Sequence, residues 1–207
     1  MAQPNAWGKP RGQPACDQQG GRLTLWRGHA ARLAVALALA LGALLHAGHS
    51  SAAEGFPAPY APMVVMPIGA PQRYEFDLTP ALNRAQKEKK RLYVYLGADD
   101  CPYCRRYEAF LARNAAELVP HFARQYLVVD LRSTLKAQSA KLFIRVGDSS
   151  LPYADFQRSI GDERARMLVY PSVWLLDTKV KPLMQMPAGA GTFETVEEQL
   201  EILNLVQ

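Results

Sequence analysis

Cysteine and histidine are scarce in this chain, which has three cysteines and four histidines among 207 residues. One cysteine and three histidines fall within the first 49 residues, which leaves Cys101, Cys104 and His121 in the remainder. A mononuclear zinc site needs about four ligands, most often cysteine and histidine. A zinc site would therefore need carboxylates or a second subunit, and we predict that the protein binds no metal and no cofactor.

Net charge is also low over most of the sequence. The formal net charge is +5, but five of the 24 basic residues precede the main hydrophobic run. From Glu54 onward, 19 basic residues stand against 18 acidic ones. A domain without a basic surplus lacks the electrostatic footprint that a polyanion requires. Nucleic acid is therefore excluded as a partner.

The main hydrophobic run, residues 33–47, is built mostly from Ala and Leu and contains no Asp, Glu, Lys or Arg. Arginines precede it, and small residues follow it at positions 51–53. These are the parts of a secretory signal. We predict that residues 1–53 are a signal peptide cleaved after Ala53 and that the protein is periplasmic. An uncleaved N-terminal membrane anchor is the alternative, because the run is only slightly short of a bilayer span.

Two cysteines stand close together in the sequence Cys101-Pro102-Tyr103-Cys104. A disulfide stabilises a protein most when it closes a long loop of the chain, and a bridge between Cys101 and Cys104 would close only a very short one. The motif follows an apolar run and opens a helical pattern. Two cysteines with this spacing on the first turn of a helix are typical of proteins that carry out reversible thiol-disulfide chemistry. We therefore favour a redox role for the pair.

The rest of the chain is predicted to form a tether and one domain. Residues 54–76 contain five prolines, which forbid a continuous helix or central strand, so this segment is predicted to be an extended tether. Residues 77–207 are predicted to follow the order β-α-β-α-β-β-α. Pro120 predicts a kink or break near Val119. The other expected elements are helices at 80–90, 101–114, 115–122, 134–140, 153–166 and 193–206, the last capped by Thr192, and strands at 92–96, 126–130, 142–146, 172–177 and 182–186.

Four features together resemble the thioredoxin superfamily, and within it the exported thioredoxin-related proteins of bacteria. They are the cysteine motif on a helix after a strand, the strand ending in Asp130, the Tyr170-Pro171 pair before a further strand, and a glycine-rich approach to the last helix. The resemblance covers about residues 77–207. It implies an α/β chain with a thioredoxin-like fold, in which helices flank a central mixed sheet.

The resemblance also implies roles for particular residues. Cys101, expected to be the more exposed cysteine, lies at the positive end of a helix, which favours its thiolate and makes it the predicted nucleophile. Cys104 is predicted to resolve the mixed disulfide that results. Substrate binding is predicted for Pro102, Tyr103, Tyr170 and Pro171, with a cis peptide bond before Pro171 that would leave the Tyr170 backbone able to pair with an extended substrate.

Two positions depart from the pattern of this superfamily. Asp99 and Asp100 replace a common tryptophan, and nearby carboxylates oppose formation of a thiolate. Tyr95 stands where thioredoxins proper keep a buried acidic residue, which leaves the proton acceptor for Cys104 unidentified.

Two functions remain open. The first is an exported, monomeric thiol-disulfide oxidoreductase that reduces or exchanges disulfides in a client protein and is recharged by a membrane thiol carrier. The second is a non-catalytic binding module with a structural disulfide. The long segment 133–168 suggests a restricted surface, as in a reductase dedicated to a single client.

Overall fold

The structure, a computed structural model, describes residues 55–162, 167–185 and 195–205. The predicted signal peptide, its cleavage site and the predicted helix cap at Thr192 lie outside these ranges. No helix within them has the length and hydropathy that a membrane span requires.

The described ranges contain eight strands and five α-helices. They are β1 (Met63–Val65), β2 (Tyr74–Asp77), α1 (Thr79–Glu88), β3 (Arg91–Ala98), α2 (Pro102–Arg113), α3 (Ala115–Gln125), β4 (Tyr126–Ser133), β5 (Leu142–Val146), β6 (Ser149–Pro152), α4 (Tyr153–Ser159), β7 (Ser172–Leu176), β8 (Pro182–Gln185) and α5 (Val196–Leu205).

Five strands form the central sheet, in the order β1-β4-β3-β7-β8. Strands β1, β4 and β3 are parallel, whereas β7 is antiparallel to β3 and β8 is antiparallel to β7. The helices α2 and α3 connect β3 to its parallel neighbour β4, and parallel strands need a crossover connection of this kind. The chain therefore has the predicted α/β thioredoxin-like fold, with a central mixed sheet flanked by helices.

Strand β3 is buried on both faces and divides the hydrophobic core in two. Successive side chains of a strand point to opposite faces. Leu92, Val94 and Leu96 pack with residues of α1, α4 and β2, while Tyr93 and Tyr95 pack with residues of α2, α3 and α5. The cysteine pair follows directly after this strand, so the centre of the sheet positions the pair.

The prediction that residues 54–76 form a tether is wrong for the part that the structure describes. Strand β1 pairs with β4 at the edge of the central sheet. The backbone N–H of Phe56 donates to Asp130 Oδ2 at 2.9 Å, and the Tyr60 hydroxyl donates to the Leu111 carbonyl at 2.9 Å. Prolines do exclude a long helix here, but they leave the chain free to pack as an edge strand and buried aromatic anchors.

The segment predicted to be helical at 134–140 instead contains only a short 3₁₀ turn at Ser139–Lys141. Strand β5, which was expected, pairs with β2 and β6 in a second, three-stranded sheet. Glu75 of β2 binds Arg73 at 2.5 Å and also forms an ion pair with Arg145 of β5. The sequence pattern missed this sheet because β2 lies far from β5 along the chain.

Two helix predictions also need correction. Helix α3 continues through Pro120 to Gln125, so the predicted break near Val119 is wrong, because the burial of Leu118 and Phe122 offsets the loss of one backbone hydrogen bond. Helix α4 ends at Ser159, before the predicted end at residue 166. Gly161, two residues after this helix end, adopts a positive φ of 73°. Glycine takes this conformation at little cost and commonly ends a helix.

Candidate functional site

The cysteine pair lies at the first turn of helix α2. Cys101 is the N-cap, with an extended backbone, and Pro102 occupies the first helical position, where its missing N–H costs no hydrogen bond. The backbone N–H of Cys104 donates to Cys101 Sγ at 3.2 Å. Both thiols are free in this structure. The Cys101 sulfur thus lies at the N-terminal end of the helix, where the helix dipole is positive.

Both cysteines are buried. The exposed fraction of Cys101 is 1% and that of Cys104 is 0%. The expectation of a more exposed Cys101 is therefore wrong for this structure, in which the loop before β7 contacts the Cys101 thiol. The Cys101 thiol lies 3.8 Å from the Tyr170 carbonyl, to which it donates.

The loop before β7 has the backbone geometry that the resemblance implies. The peptide bond between Tyr170 and Pro171 is cis. The Tyr170 hydroxyl shares a hydrogen bond of 2.8 Å with Ser133 Oγ at the end of β4, and Ser172 Oγ donates to the Val169 carbonyl at 2.6 Å. These contacts fix the Tyr170 carbonyl beside Cys101.

Apolar side chains are exposed on the segments that adjoin the pair. Pro102 and Tyr103 are exposed between the two buried cysteines, with 49% of Tyr103 accessible. Leu135 and Met167 are also exposed. Leu135 is linked to the motif through its backbone N–H, which donates to Asp100 Oδ1 at 2.7 Å. The structure thus brings all the predicted site residues to one end of the central sheet.

The two aspartates before the motif are each paired with other groups. Asp100 accepts hydrogen bonds from the Leu135 backbone N–H and from Thr134 Oγ1, and the first of these lowers the pKa of Asp100. Asp99 Oδ1 binds Arg132 Nη2 at 2.5 Å. The Arg132 guanidinium offsets the negative charge of Asp99, which weakens the predicted opposition of that carboxylate to a thiolate.

A buried polar cluster lies behind Cys104. The Tyr95 hydroxyl donates to Glu108 Oε1 at 3.0 Å. Arg132 Nη1 donates to the same Glu108 oxygen at 3.2 Å. Burial raises the pKa of the Cys104 thiol well above its usual value, with a further rise from Cys101, and burial likewise raises the pKa of Tyr95. At neutral pH both groups are protonated.

Asp130 completes this cluster. The register of the sheet places Tyr95 opposite Asp130 and Gly97 opposite Arg132. Asp130 Oδ1 lies 3.7 Å from Arg132 Nη1, and Oδ2 accepts from the Phe56 backbone. Burial raises the pKa of Asp130 to about 6, although the Phe56 N–H and Arg132 both act to lower it.

Sequence reasoning missed the residues that form this cluster with Tyr95. Two signals were present. Glu108 follows Cys104 by four residues and so shares its helix face. Asp130 and Arg132 alternate within an otherwise apolar strand, which indicates charged groups on one buried face. The contribution of Phe56 had no local signal, because it depends on the N-terminal segment packing against α2 and α3.

Within the described ranges, no three His, Cys, Asp or Glu side chains lie close enough together to hold a metal ion.

Comparisons with known proteins give a distant likeness to a solved structure. No protein-family model matches the chain, and no curated protein matches it significantly. Among solved structures, a thioredoxin-fold protein from Helicobacter pylori matches with 13% sequence identity and a TM-score of 0.35. The match covers 76% of this chain and 92% of that protein. The thioredoxin-like fold described above rests on the strand order and directions of this chain itself.

Proposed function

We propose that the protein is a thiol-disulfide oxidoreductase that uses Cys101 and Cys104 to reduce or exchange disulfides in a client protein. The observation that carries this proposal is the position of Cys101 Sγ as the cap of helix α2, accepting the Cys104 N–H at 3.2 Å. That arrangement stabilises the thiolate required for attack and holds the second sulfur one turn away.

The setting of the reaction is part of the same proposal. The protein is exported to the periplasm as a monomer and is recharged by a membrane thiol carrier. The client is an extended polypeptide that pairs with the backbone at Tyr170 and contacts Pro102 and Tyr103. Because Cys101 is 1% exposed, the client must displace part of the loop before β7 to reach it.

The test is reduction of insulin by dithiothreitol, in which the reduced chains precipitate. The full-length protein should accelerate this reaction, and Cys101→Ser should abolish the acceleration because it removes the nucleophile. Cys104→Ser should accumulate a mixed disulfide with the client. Cys16→Ser removes the chain's remaining cysteine and should have no effect. Acceleration that survives Cys101→Ser would contradict the proposal.

A non-catalytic binding module with a structural disulfide is the second candidate. The burial of both cysteines favours it, because an inaccessible pair reacts slowly with any partner. This candidate predicts that insulin reduction is unchanged by the protein and that the oxidised pair resists reduction. The two functions therefore give opposite results in the same assay.

A further inference from the structure

Basic side chains gather at the end of the central sheet that lies opposite the cysteine pair. They come from the end of α1, the start of β3, the end of α3 and the connection between β7 and β8. We call this surface the basic pole, and its members are Lys87, Lys89, Lys90, Arg91, Arg124, Lys179 and Lys181. From Glu54 onward the chain carries 19 basic and 18 acidic side chains, so the pole reflects a separation of charge that the total conceals.

Two adjoining cavities form the surface of the pole. The larger, of about 510 Å³, is lined by Lys89, Arg91, Arg124 and Gln125. The smaller, of about 350 Å³, is lined by Gln86, Lys89, Lys90, Arg91, Asp177 and Thr178. Lys89 and Arg91 thus line both cavities, and the described lining contains no hydrophobic residue. An apolar ligand would gain no hydrophobic contact here, whereas an anion would meet several cations.

The two carboxylates in these segments are already bound by other groups. Glu88 forms ion pairs with Arg84 at 2.7 Å and with Lys90 at 3.1 Å. Asp177 Oδ1 accepts the backbone N–H groups of Lys179 and Lys181, each at 2.8 Å. These carboxylates therefore do not bind the three other cations that line the cavities.

Those three cations are Lys89, Arg91 and Arg124. Within the described ranges, none of them forms an ion pair with a carboxylate. Arg91 Nη1 donates to the neutral Gln125 Oε1 at 3.3 Å, which holds its guanidinium beside the end of α3. Like charges on one surface repel each other, and an anion placed between them relieves that repulsion.

Two features of the pole favour an anionic lipid surface as the source of that anion. Because Lys89 and Arg91 line both cavities, neighbouring anions can be held side by side, as phosphate groups lie in the plane of a bilayer. A protein partner would use apolar or aromatic anchors at the centre of its interface, and the described lining supplies none. The attraction of Lys and Arg to an anionic bilayer needs no such anchors.

We propose that the basic pole binds the phosphate groups of an anionic phospholipid bilayer. Strand β3 runs from Arg91 at the pole to Ala98 near the cysteine pair, a distance of about 23 Å at the usual rise of about 3.3 Å per residue. Bound in this way, the domain presents Cys101 away from the bilayer, toward clients in solution. The proposed redox chemistry does not use this surface, so either proposal can fail without the other.

The test measures acylation of lysines by a water-soluble succinimidyl ester, read by mass spectrometry, in full-length protein mixed with vesicles. The vesicles are phosphatidylcholine alone or phosphatidylcholine with about one-third phosphatidylglycerol. Any insertion of residues 1–53 occurs in both, so the comparison isolates the lipid charge. The anionic vesicles should slow acylation of Lys89 and Lys179 at least about fivefold at low salt, and about 0.5 M sodium chloride should remove this protection. Lys136 and Lys141, exposed and outside the pole, should react equally with both.

Arg124→Gln removes one cation from the larger cavity, so the anionic lipid concentration that half-protects Lys89 should rise about fivefold. Arg106→Gln, at an exposed arginine of α2, is the matched control and should leave that concentration unchanged. Equal acylation of Lys89 in the two kinds of vesicle overturns the inference, and so does protection of Lys136 as strong as that of Lys89. Protection by inorganic phosphate at the same phosphate concentration also overturns it, because a soluble anion would then suffice.

Discussion

At the scale of single residues, Asp130 makes stability depend on pH. Burial raises its pKa from 3.8 to about 6. Between these values the folded protein holds a proton that the unfolded chain has lost. The contribution of Asp130 to the free energy of unfolding is therefore full below about pH 4 and falls as pH rises through 6, by about 3 kcal/mol.

Asp130→Asn is neutral at every pH and should remove this dependence. Its stability relative to wild type should rise between pH 4 and 6, by up to about 3 kcal/mol, and stay constant above that range. Urea denaturation at a series of pH values measures the difference. Asp148→Asn, at an exposed turn, should show no such trend. A difference for Asp130→Asn that is the same at all pH values would mean that Asp130 titrates normally.

Gly97 tests the packing of Tyr95. Gly97→Ala places a methyl group 2.5 Å from the tyrosine ring, and we expect a loss of about 1–3 kcal/mol in the free energy of unfolding from overpacking. In a Tyr95→Ala background the ring is absent, so the same change should cost much less. Equal costs in the two backgrounds would show that the ring does not occupy this space.

At the scale of elements, the N-terminal segment is part of the core. The Phe56 ring lies edge-on to those of Tyr60 and Tyr95, with centroids 5.3 and 5.4 Å apart. Its backbone also binds Asp130 of β4. This segment therefore closes the buried cluster that adjoins the cysteine pair, and it packs with the domain that follows it.

Phe56→Ala should lower the free energy of unfolding by about 3 kcal/mol, because it removes a buried ring from an aromatic cluster. Ile68→Ala, in the same segment but 62% exposed, should change it by less than about 0.5 kcal/mol. Denaturation of both variants in urea supplies the comparison. If the two changes cost the same, the segment does not pack as described.

At the scale of the whole molecule, the sequence predicted the central sheet and the position of the cysteines. Short apolar strands such as β3 and β4 can be predicted from their own residues, and so can the two helices, α2 and α3, between them. The second sheet and the edge strand β1 could not be predicted in this way, because their partners are distant in sequence. The burial of Cys101 likewise depends on the loop at Tyr170, and the cluster around Glu108 depends on the register of β3 against β4.

The central claim is that the cysteine pair is redox-active, and its reduction potential tests that claim most directly. The purified full-length protein is equilibrated with dithiothreitol or glutathione buffers, and the free thiols of Cys101 and Cys104 are trapped and counted. We predict a potential between about −270 mV, typical of a reductase, and about −120 mV, typical of an oxidant. A pair that remains disulfide-bonded below about −300 mV would be a structural staple and would contradict the account.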